Sequence, residues 1–305
     1  MMQKILITGG SGLIGKQLSK KLADKSYEIR ILGRKKNLPD NFPYKYYNWD
    51  INQEIIDTKA LENIDYVINL AGENISEKRW TKEQKLLIEN SRVNSIKLLF
   101  KACCENNTWP KAFISSSAIG YYGTFTSEKI LNEESPAGKD FLAQVCEKWE
   151  KAANLFAEKG IRTVKIRTGV VLSKYGGAYD KISKLTRKGL AAAIGSGKQY
   201  IPWIHINDIV NIFIKAIEDE HFEGVYNGIA PQHITNKEFT KAVVKSLDQS
   251  FILPNVPSFI LKATYGEMSD ILLKGSRISS DKLIQTNFQF EFPNLEQALK
   301  NLVNS

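Results

Sequence analysis

The most constraining feature of the sequence is an alternation of short apolar runs with longer amphipathic ones over about its first 170 residues. This alternation is typical of repeated strand–helix units, in which parallel strands form a sheet and helices cover its two faces. The predicted strands are Lys4–Thr8, Tyr27–Leu32, Tyr44–Tyr47, Tyr66–Leu70, Ala112–Ser115 and Thr163–Ile166. The predicted helices are Leu13–Lys25, Lys82–Glu105, Lys139–Lys159, Asn207–Glu218 and Asn236–Leu247. We therefore expect an α/β fold of the Rossmann type with a doubly wound parallel sheet.

The chain changes character after Leu172, where glycine and proline residues begin to separate shorter segments. This pattern is typical of a lobe that is built on irregular connections. We predict a Rossmann domain over residues 1–172 and a smaller α/β substrate lobe over residues 173–305, which ends in a distinct segment over about 251–300. The predicted helical pieces of that segment are Ser258–Leu273 and Asn294–Val303.

Composition restricts the classes of partner. The chain has 305 residues, of which 43% are hydrophobic and 25% are charged, so it can bury a globular core. Its 42 Lys and Arg residues against 33 Asp and Glu residues give a net charge of +9, but most of the excess is dispersed lysine. Since no basic helix carries interleaved aromatic residues, we expect no nucleic-acid partner. Since no apolar run reaches the length of a membrane span and the first strand passes directly into glycines, we expect a cytoplasmic protein without membrane contact.

Cysteine and histidine residues are few and scattered. There are three of each, and their spacing matches neither a metal site nor a disulfide framework. We therefore predict that the protein has no metal site. These residues are Cys103, Cys104, Cys146, His205, His221 and His233.

A glycine-rich turn, Thr8–Gly15, follows the first predicted strand and opens the first predicted helix. In a dinucleotide site, Gly9 would allow the tight turn, Gly12 would let the backbone approach a pyrophosphate, and Gly15 would let the helix pack on the sheet. The free N–H groups at the helix start would then bind the anion. By itself the G-x-x-G-x-x-G spacing also fits a simple turn, but its position favours a dinucleotide. The predicted cofactor-binding residues here are Gly9, Gly10, Ser11, Gly12, Leu13, Ile14 and Gly15.

The end of the second strand indicates which dinucleotide is bound. An NAD site usually has an acidic residue there, whereas this strand runs into Gly33-Arg34-Lys35-Lys36. Guanidinium and ammonium groups bind a 2′-phosphate, so Arg34 and Lys35 predict NADP(H) as the cofactor. The alternative is that these are solvated loop charges without a ligand.

Two further segments, after the third and fourth strands, complete the predicted cofactor site. Asp50 follows the third strand, where its carboxylate would accept from the adenine amino group or, equally well, form an Asx turn. Leu70, Ala71 and Gly72 follow the fourth strand, where a cofactor ribose would cross the edge of the sheet. A tight strand exit is the alternative for these small residues.

Several motifs together resemble the extended short-chain dehydrogenase/reductase superfamily, and more narrowly its "epimerase family" group (NAD-dependent epimerase/dehydratase-like) with a C-terminal domain of unknown function. The general motifs are Thr8–Gly15, Asn69-Leu70-Ala71-Gly72, Ser115-Ser116-Ser117-Ala118, Arg167–Leu172 and Trp203–Asp208. The narrower ones are Ser91-Arg92-Val93, Gly120-Tyr121-Tyr122-Gly123, Asp140–Ala143, Trp149-Glu150 and the tail Leu253–Phe290. The resemblance implies an NADP(H)-dependent oxidoreductase or epimerase-like enzyme that acts on a small molecule.

The resemblance also implies a catalytic Tyr-x-x-x-Lys pair on the helix after the fifth strand, with a serine at that strand's end. Ser117 stands at the serine position. Alignment on Glu150 places Leu142 and Cys146 where the pair belongs, and a shift of one residue places Phe141 and Val145 there. Since an apolar side chain cannot exchange a proton, the usual reductase chemistry does not carry over.

Three accounts of the site follow. Tyr121 or Tyr122 supplies the missing hydroxyl while Ser117 polarises a carbonyl, although an aromatic plug in a loop explains Tyr122 as well. Alternatively, a substrate group or a water molecule moves the proton. In the third account the chain is a non-catalytic NADP(H)-binding regulatory or interaction protein.

The predicted substrate side follows the fourth strand. Arg79 and Trp80 would bind an anionic or planar group there, or would attach the loop to the next helix. Arg92 occupies a position where many relatives have asparagine. We expect Asn207 or Asp208 to be a helix N-cap, and His205 to be a core residue. The sequence does not determine the oligomeric state, and a homodimer is one of the states that it allows.

Overall fold

The structure is a computed structural model that describes residues 2–35, 41–250 and 253–304. Its strands are β1 (Lys4–Thr8), β2 (Glu28–Gly33), β3 (Lys45–Asp50), β4 (Ile55–Ile56), β5 (Tyr66–Asn69), β6 (Ala112–Ala118), β7 (Ile130–Leu131), β8 (Arg162–Thr168), β9 (Val170–Ser173), β10 (Ala192–Ile194), β11 (Trp203–His205), β12 (Gly224–Gly228), β13 (Leu253–Val256) and β14 (Arg277–Ile278). Its α-helices are α1 (Leu13–Asp24), α2 (Lys82–Asn106), α3 (Phe141–Glu158), α4 (Gly177–Arg187), α5 (Ile206–Glu218), α6 (Asn236–Ser246), α7 (Ser258–Tyr265), α8 (Asp270–Leu273), α9 (Asp281–Gln285) and α10 (Leu295–Asn304).

The central sheet has eight strands in the order β12-β8-β6-β5-β1-β2-β3-β4. Neighbours pair in parallel except β3 and β4, which are antiparallel. The strand order changes direction between β1 and β5, which is where ligands bind in open α/β sheets. The predicted doubly wound α/β fold is confirmed, and each of the six predicted strands lies in this sheet.

Helices cover the sheet because successive residues of each strand point to opposite faces. Ile5 and Ile7 of β1 belong to the core cluster that includes residues of α1 and α5. Leu6, between them, belongs to the cluster that includes residues of α2 and α3. Every side chain of β1 from residue 5 to residue 7 is fully buried. Because β1 is buried on both faces of the sheet, it has an unbroken apolar run instead of an alternating pattern.

The chain returns to the large sheet after residue 172. Helix α5 packs beside α1, and β12 adds a parallel edge strand next to β8. The apolar pattern does not predict β12, because glycine occupies both of its ends. Other segments form three two-stranded pairs, β9 with β11, β10 with β13 and β7 with β14. The division at residue 172 stays a prediction.

The helix predicted over Ser258–Leu273 is wrong as a single element. The structure has α7, a 3₁₀ turn over Gly266–Ser269 and the short helix α8 in its place. Gly266 has a φ of +59°, which is outside the right-handed helical region, so it interrupts the helix. Arg79 lies against this glycine and would be within 3.1 Å of a Cβ there.

Two kinds of feature are not found in the described ranges. No helix there is both long and apolar enough for a membrane span. No group of three His, Cys, Asp or Glu side chains there is placed to hold a metal ion.

Candidate functional site

The glycine-rich turn lies at the carboxyl end of β1, against the exit of β5. Gly9 has a φ of +66°, which favours glycine, and a Cβ there would lie 2.5 Å from the carbonyl oxygen of Leu70. The amide of Gly12 donates to the carbonyl oxygen of Gly9 at 2.9 Å and closes the turn. Gly12 is the N-cap of α1 and has no side chain with which to cap it. The first N–H groups of α1 therefore face the turn without a capping side chain.

Gly15 allows the first turn of α1 to pack against the glycine-rich turn, and Gly12 leaves the start of the helix open to solvent. A Cβ on Gly15 would clash with the carbonyl oxygen of Gly9 and would lie 2.7 Å from the Cα of Gly10. Gly12 is exposed, and its nearest neighbour would be the Gly9 carbonyl oxygen, 3.2 Å from a Cβ. An uncapped helix start beside an exposed glycine fits the approach of a pyrophosphate.

A buried hydrogen-bond cluster joins β1 to β5. The Thr8 hydroxyl donates to Oδ1 of Asn69 at 2.6 Å and accepts from the amides of Leu70 and Ala71 at 3.2 and 3.1 Å. Both side chains are fully buried. The structure thus brings Leu70 and Ala71 directly against the glycine-rich turn, and the hydrogen bonds of Thr8 hold this contact.

The predicted adenosine side of the site lies at the ends of β2 and β3. Arg34 and Lys35 are both exposed, and the Lys35 amide donates to the Tyr46 hydroxyl at 2.8 Å. Lys36 lies outside the described residues. Oδ1 of Asp50 accepts from the amides of Asn52 and Gln53 at 2.9 and 3.1 Å, so Asp50 forms an Asx turn. Its contact with adenine stays a prediction.

Ser117 belongs to a buried charged cluster at the end of β6. Its hydroxyl donates to Oε1 of Glu150 at 2.7 Å. Arg167 on β8 donates to the same carboxylate twice, from Nε at 2.7 Å and from Nη2 at 2.9 Å. Burial opposes the charge of Arg167, but its hydrogen bonds to Glu150 hold the pKa of the guanidinium above its ordinary value. All three side chains are buried, and sequence reasoning assigned no role to Glu150 or Arg167.

Tyr122 and Tyr121 extend this cluster. The Tyr122 hydroxyl donates to Oδ1 of Asn227 at 2.7 Å and accepts from Nη1 of Arg167 at 3.0 Å. Burial raises the pKa of Tyr122 to about 12. Tyr121 is only half-buried, and its ring lies 3.4 Å from the Arg167 guanidinium carbon. No hydrogen bond of the Tyr121 hydroxyl is found among the described residues.

Leu142 and Cys146 face the exit of β6 from α3. A Cβ on Gly120 would lie 3.4 Å from Cβ of Leu142 and 3.7 Å from Sγ of Cys146. Burial raises the pKa of the Cys146 thiol to about 12. Cys146 is only 3% exposed, so it is a small side chain of the core.

Arg79 and Trp80, on the predicted substrate side, both contact other parts of the protein. Trp80 donates from Nε1 to the carbonyl oxygen of Ile75 at 2.9 Å, and its ring lies 5.1 Å from that of Phe141. Arg79 is exposed and donates to the carbonyl oxygen of Ala263 in α7 at 3.4 Å. These contacts favour the attachment of the loop to its neighbours, and a substrate contact stays a prediction.

The predicted N-cap of α5 at Asn207 or Asp208 is wrong. His205 is the cap, and its Nδ1 accepts from the Asn207 amide at 3.1 Å. Asp208 instead accepts from the amides of Glu291 and Phe292 at 2.7 and 3.1 Å. The Asp208 carboxylate lies in the first turn of α5, but it accepts hydrogen bonds from a backbone segment that is distant in the sequence. His205 is buried, as predicted, and burial lowers its pKa to about 4.

Known proteins are similar in sequence to this chain over nearly its whole length. The NAD dependent epimerase/dehydratase family matches residues 5–227, and a domain of unknown function, DUF1731, matches residues 256–302. The mouse protein named epimerase family protein SDR39U1 is 36% identical over 304 residues, which cover 98% of this chain and 99% of that protein.

Solved structures agree with the sequence relatives. The human epimerase family protein SDR39U1 with NADPH has a TM-score of 0.86 and 33% identity, and the match covers 99% of this chain and 100% of that one. A nucleoside-diphosphate sugar epimerase from Corynebacterium glutamicum has a TM-score of 0.79 and 29% identity over 99% of this chain and 58% of that one. The chain therefore belongs to the NAD-dependent epimerase/dehydratase family of extended short-chain dehydrogenases/reductases, and it carries the DUF1731 domain at its C-terminal end.

Proposed function

We propose that this protein binds NADP(H) and is an oxidoreductase or epimerase-like enzyme without the usual Tyr-x-x-x-Lys pair. The observation that carries the proposal is the uncapped start of α1 beside exposed Gly12, with Arg34 and Lys35 at the end of the neighbouring strand β2. The human relative solved with NADPH supports the same cofactor. When bound, NADP(H) supplies hydride chemistry for a substrate carbonyl or alcohol.

The residues around β6 suggest how the proton is handled. Ser117 and Tyr122 already use their hydroxyls inside the charged cluster, so neither is free to contact a substrate without breaking a buried hydrogen bond. Tyr121 is half-buried, and its hydroxyl is not used by the described part of the chain. We therefore favour Tyr121 as the proton donor, with Ser117 and Tyr122 as positioning residues.

A test of this assignment compares Tyr121→Phe with Tyr122→Phe. With labelled NADPH and a panel of small carbonyl compounds, we expect Tyr121→Phe to lower turnover by about 10²–10⁴-fold, the usual contribution of a general acid. Tyr122→Phe is expected mainly to lower stability, by about 1–3 kcal/mol, because Asn227 loses its buried donor. Equal turnover in the wild type and Tyr121→Phe would remove Tyr121 from the mechanism.

The second candidate is a non-catalytic NADP(H)-binding protein with a regulatory or interaction role. The burial of the Ser117 and Tyr122 hydroxyls favours it, because two of the three candidate catalytic groups point into the protein. Turnover of NADPH with the panel of carbonyl compounds distinguishes an enzyme from a non-catalytic binding protein. Tight NADPH binding with no turnover on any compound would support the second candidate.

Cofactor preference is tested with Arg34→Ala. Arg34 is exposed at the end of β2, where its guanidinium would bind the 2′-phosphate that only NADP(H) carries. We expect the variant to weaken NADPH binding by at least about tenfold and to leave NADH binding nearly unchanged, as measured by calorimetry. Equal losses for both cofactors would contradict the assignment.

A further inference from the structure

Arg277, the first residue of β14, has a half-buried side chain that the proposed function does not use. Its Nε donates to Nδ1 of His233 at 2.9 Å. Because Nδ1 accepts, the His233 ring is neutral and carries its proton on Nε2. That Nε2 donates to the carbonyl oxygen of Ile278 at 2.9 Å. The imidazole thus joins the guanidinium to the backbone of its own strand and fixes its direction.

The segments around this guanidinium are held together by backbone contacts. The Tyr200 amide donates to the carbonyl oxygen of Gly275 at 3.0 Å, and a Cβ on Gly275 would clash with the Tyr200 carbonyl oxygen. The Ser276 hydroxyl donates to the carbonyl oxygen of Phe125 at 2.6 Å. The guanidinium carbon of Arg277 lies 5.8 Å from the centre of the Tyr200 ring. The Arg277 side chain is therefore preorganised before any ligand arrives.

The two Nη atoms of Arg277 are left for a ligand. Within the described ranges neither of them donates a hydrogen bond, since the one bond of this guanidinium comes from Nε. A carboxylate oxygen of Glu128 lies 4.0 Å from Nη1, but the Glu128 side chain is 81% exposed and already accepts from the Tyr200 hydroxyl at 2.7 Å. Because an ion pair this exposed contributes little, an anion that accepts from both Nη atoms could replace it with a stronger bidentate pair.

Arg277 lies at the edge of the sheet that carries the proposed cofactor site. His233 follows the carboxyl end of β12, and Glu128 follows that of β6. The carboxyl ends of parallel strands share one edge, where ligands bind in open α/β sheets. Ile278, next to Arg277 in β14, belongs to the apolar cluster against which Tyr121, the favoured proton donor, also packs. The guanidinium is thus placed to bind a part of the substrate that is remote from the reacting group.

We propose that Arg277 is a substrate-binding residue and that the substrate carries an anionic group, either a carboxylate or a phosphate. This inference rests on the proposed function and names the class of its substrate. Both Nη atoms would donate to the oxygens of the anionic group, while the hydrogen bond from Nε to His233 stays in place. Glu128 would compete with that group for the same guanidinium, so removal of its charge would favour binding.

The test is a calorimetric titration of the protein saturated with NADPH, which fills the pyrophosphate site at α1. Inorganic phosphate and benzoate are the probes, and they separate phosphate from carboxylate recognition. We expect at least one of them to bind the wild type, and Arg277→Gln to weaken that binding by about tenfold or more. Glu128→Gln, whose amide oxygen can still accept from Tyr200, is expected to tighten it by about two- to fivefold.

Two further variants complete the experiment. Lys97→Gln is the control for net charge, because Lys97 is an exposed cation on α2, and it is expected to change neither affinity. Arg277→Lys keeps the charge without the planar fork, and it is expected to weaken the anion by about threefold or more. It repeats the test if Arg277→Gln does not fold. Opposite effects at Arg277 and Glu128 are a result that a purely structural role would not produce.

Three results would overturn the inference. The first is that the wild type with NADPH bound takes up neither phosphate nor benzoate. The second is an unchanged affinity for both anions in the folded Arg277 variants. The third is an equal loss in Arg277→Gln and Lys97→Gln, which would show only a general attraction by net charge. Failure of the wild type to bind NADPH is a separate outcome, and it would reject the proposed function together with this inference.

Discussion

Replacing Glu150 with leucine is expected to destabilise the protein by about 3–5 kcal/mol, because it leaves the charge of Arg167 buried without a partner. Arg167 is only 2% exposed, and the Glu150 carboxylate accepts hydrogen bonds from Nε and Nη2 of its guanidinium. The same substitution removes the acceptor of the Ser117 hydroxyl. Urea unfolding of the wild type and Glu150→Leu measures the difference.

The matched control is the double variant Glu150→Leu/Arg167→Leu. Since both charges are removed, no unpaired ion stays in the core, and we expect the double variant to be more stable than Glu150→Leu alone. A loss below about 1 kcal/mol in the single variant would be typical of a solvated pair and would contradict the buried assignment.

Gly12→Ala is expected to weaken NADPH binding on the order of a hundredfold while the fold is kept. Gly12 has a φ of −75°, which alanine adopts freely, and one backbone neighbour at 3.2 Å from its Cβ. The Gly9 carbonyl oxygen must shift by a few tenths of an ångström to admit the methyl group, which is a much smaller change than a clash would require. It projects at the start of α1, where the pyrophosphate must approach the amides.

Gly15→Ala provides the contrast for this prediction. Its Cβ would clash with the Gly9 carbonyl oxygen, so the backbone of the turn must move and the stability of the protein must fall. Thermal unfolding together with NADPH titration separates the two effects. Unchanged NADPH affinity in folded Gly12→Ala would show that the pyrophosphate does not bind at this turn.

Features that depend on neighbouring residues could be predicted from the sequence. The bounds of β1 match the prediction at both ends, because a short apolar run followed by glycines has few other conformations.

Features that depend on distant residues could not be predicted. Ser117, Glu150 and Arg167 come from β6, α3 and β8, and only the folded chain shows that their polar atoms meet. The serine motif predicted that Ser117 polarises a substrate carbonyl, whereas the structure directs its hydroxyl to Glu150. Arg167 shares β8 with two other basic residues, Arg162 and Lys165, so its charge alone does not indicate a buried partner.

Calorimetric titration of the purified wild-type protein with NADPH and with NADH tests the central claim most directly. The uncapped helix start and the cationic end of β2 predict saturable binding of NADPH, at least about tenfold tighter than that of NADH. Absence of binding by either cofactor to the folded protein would contradict the account.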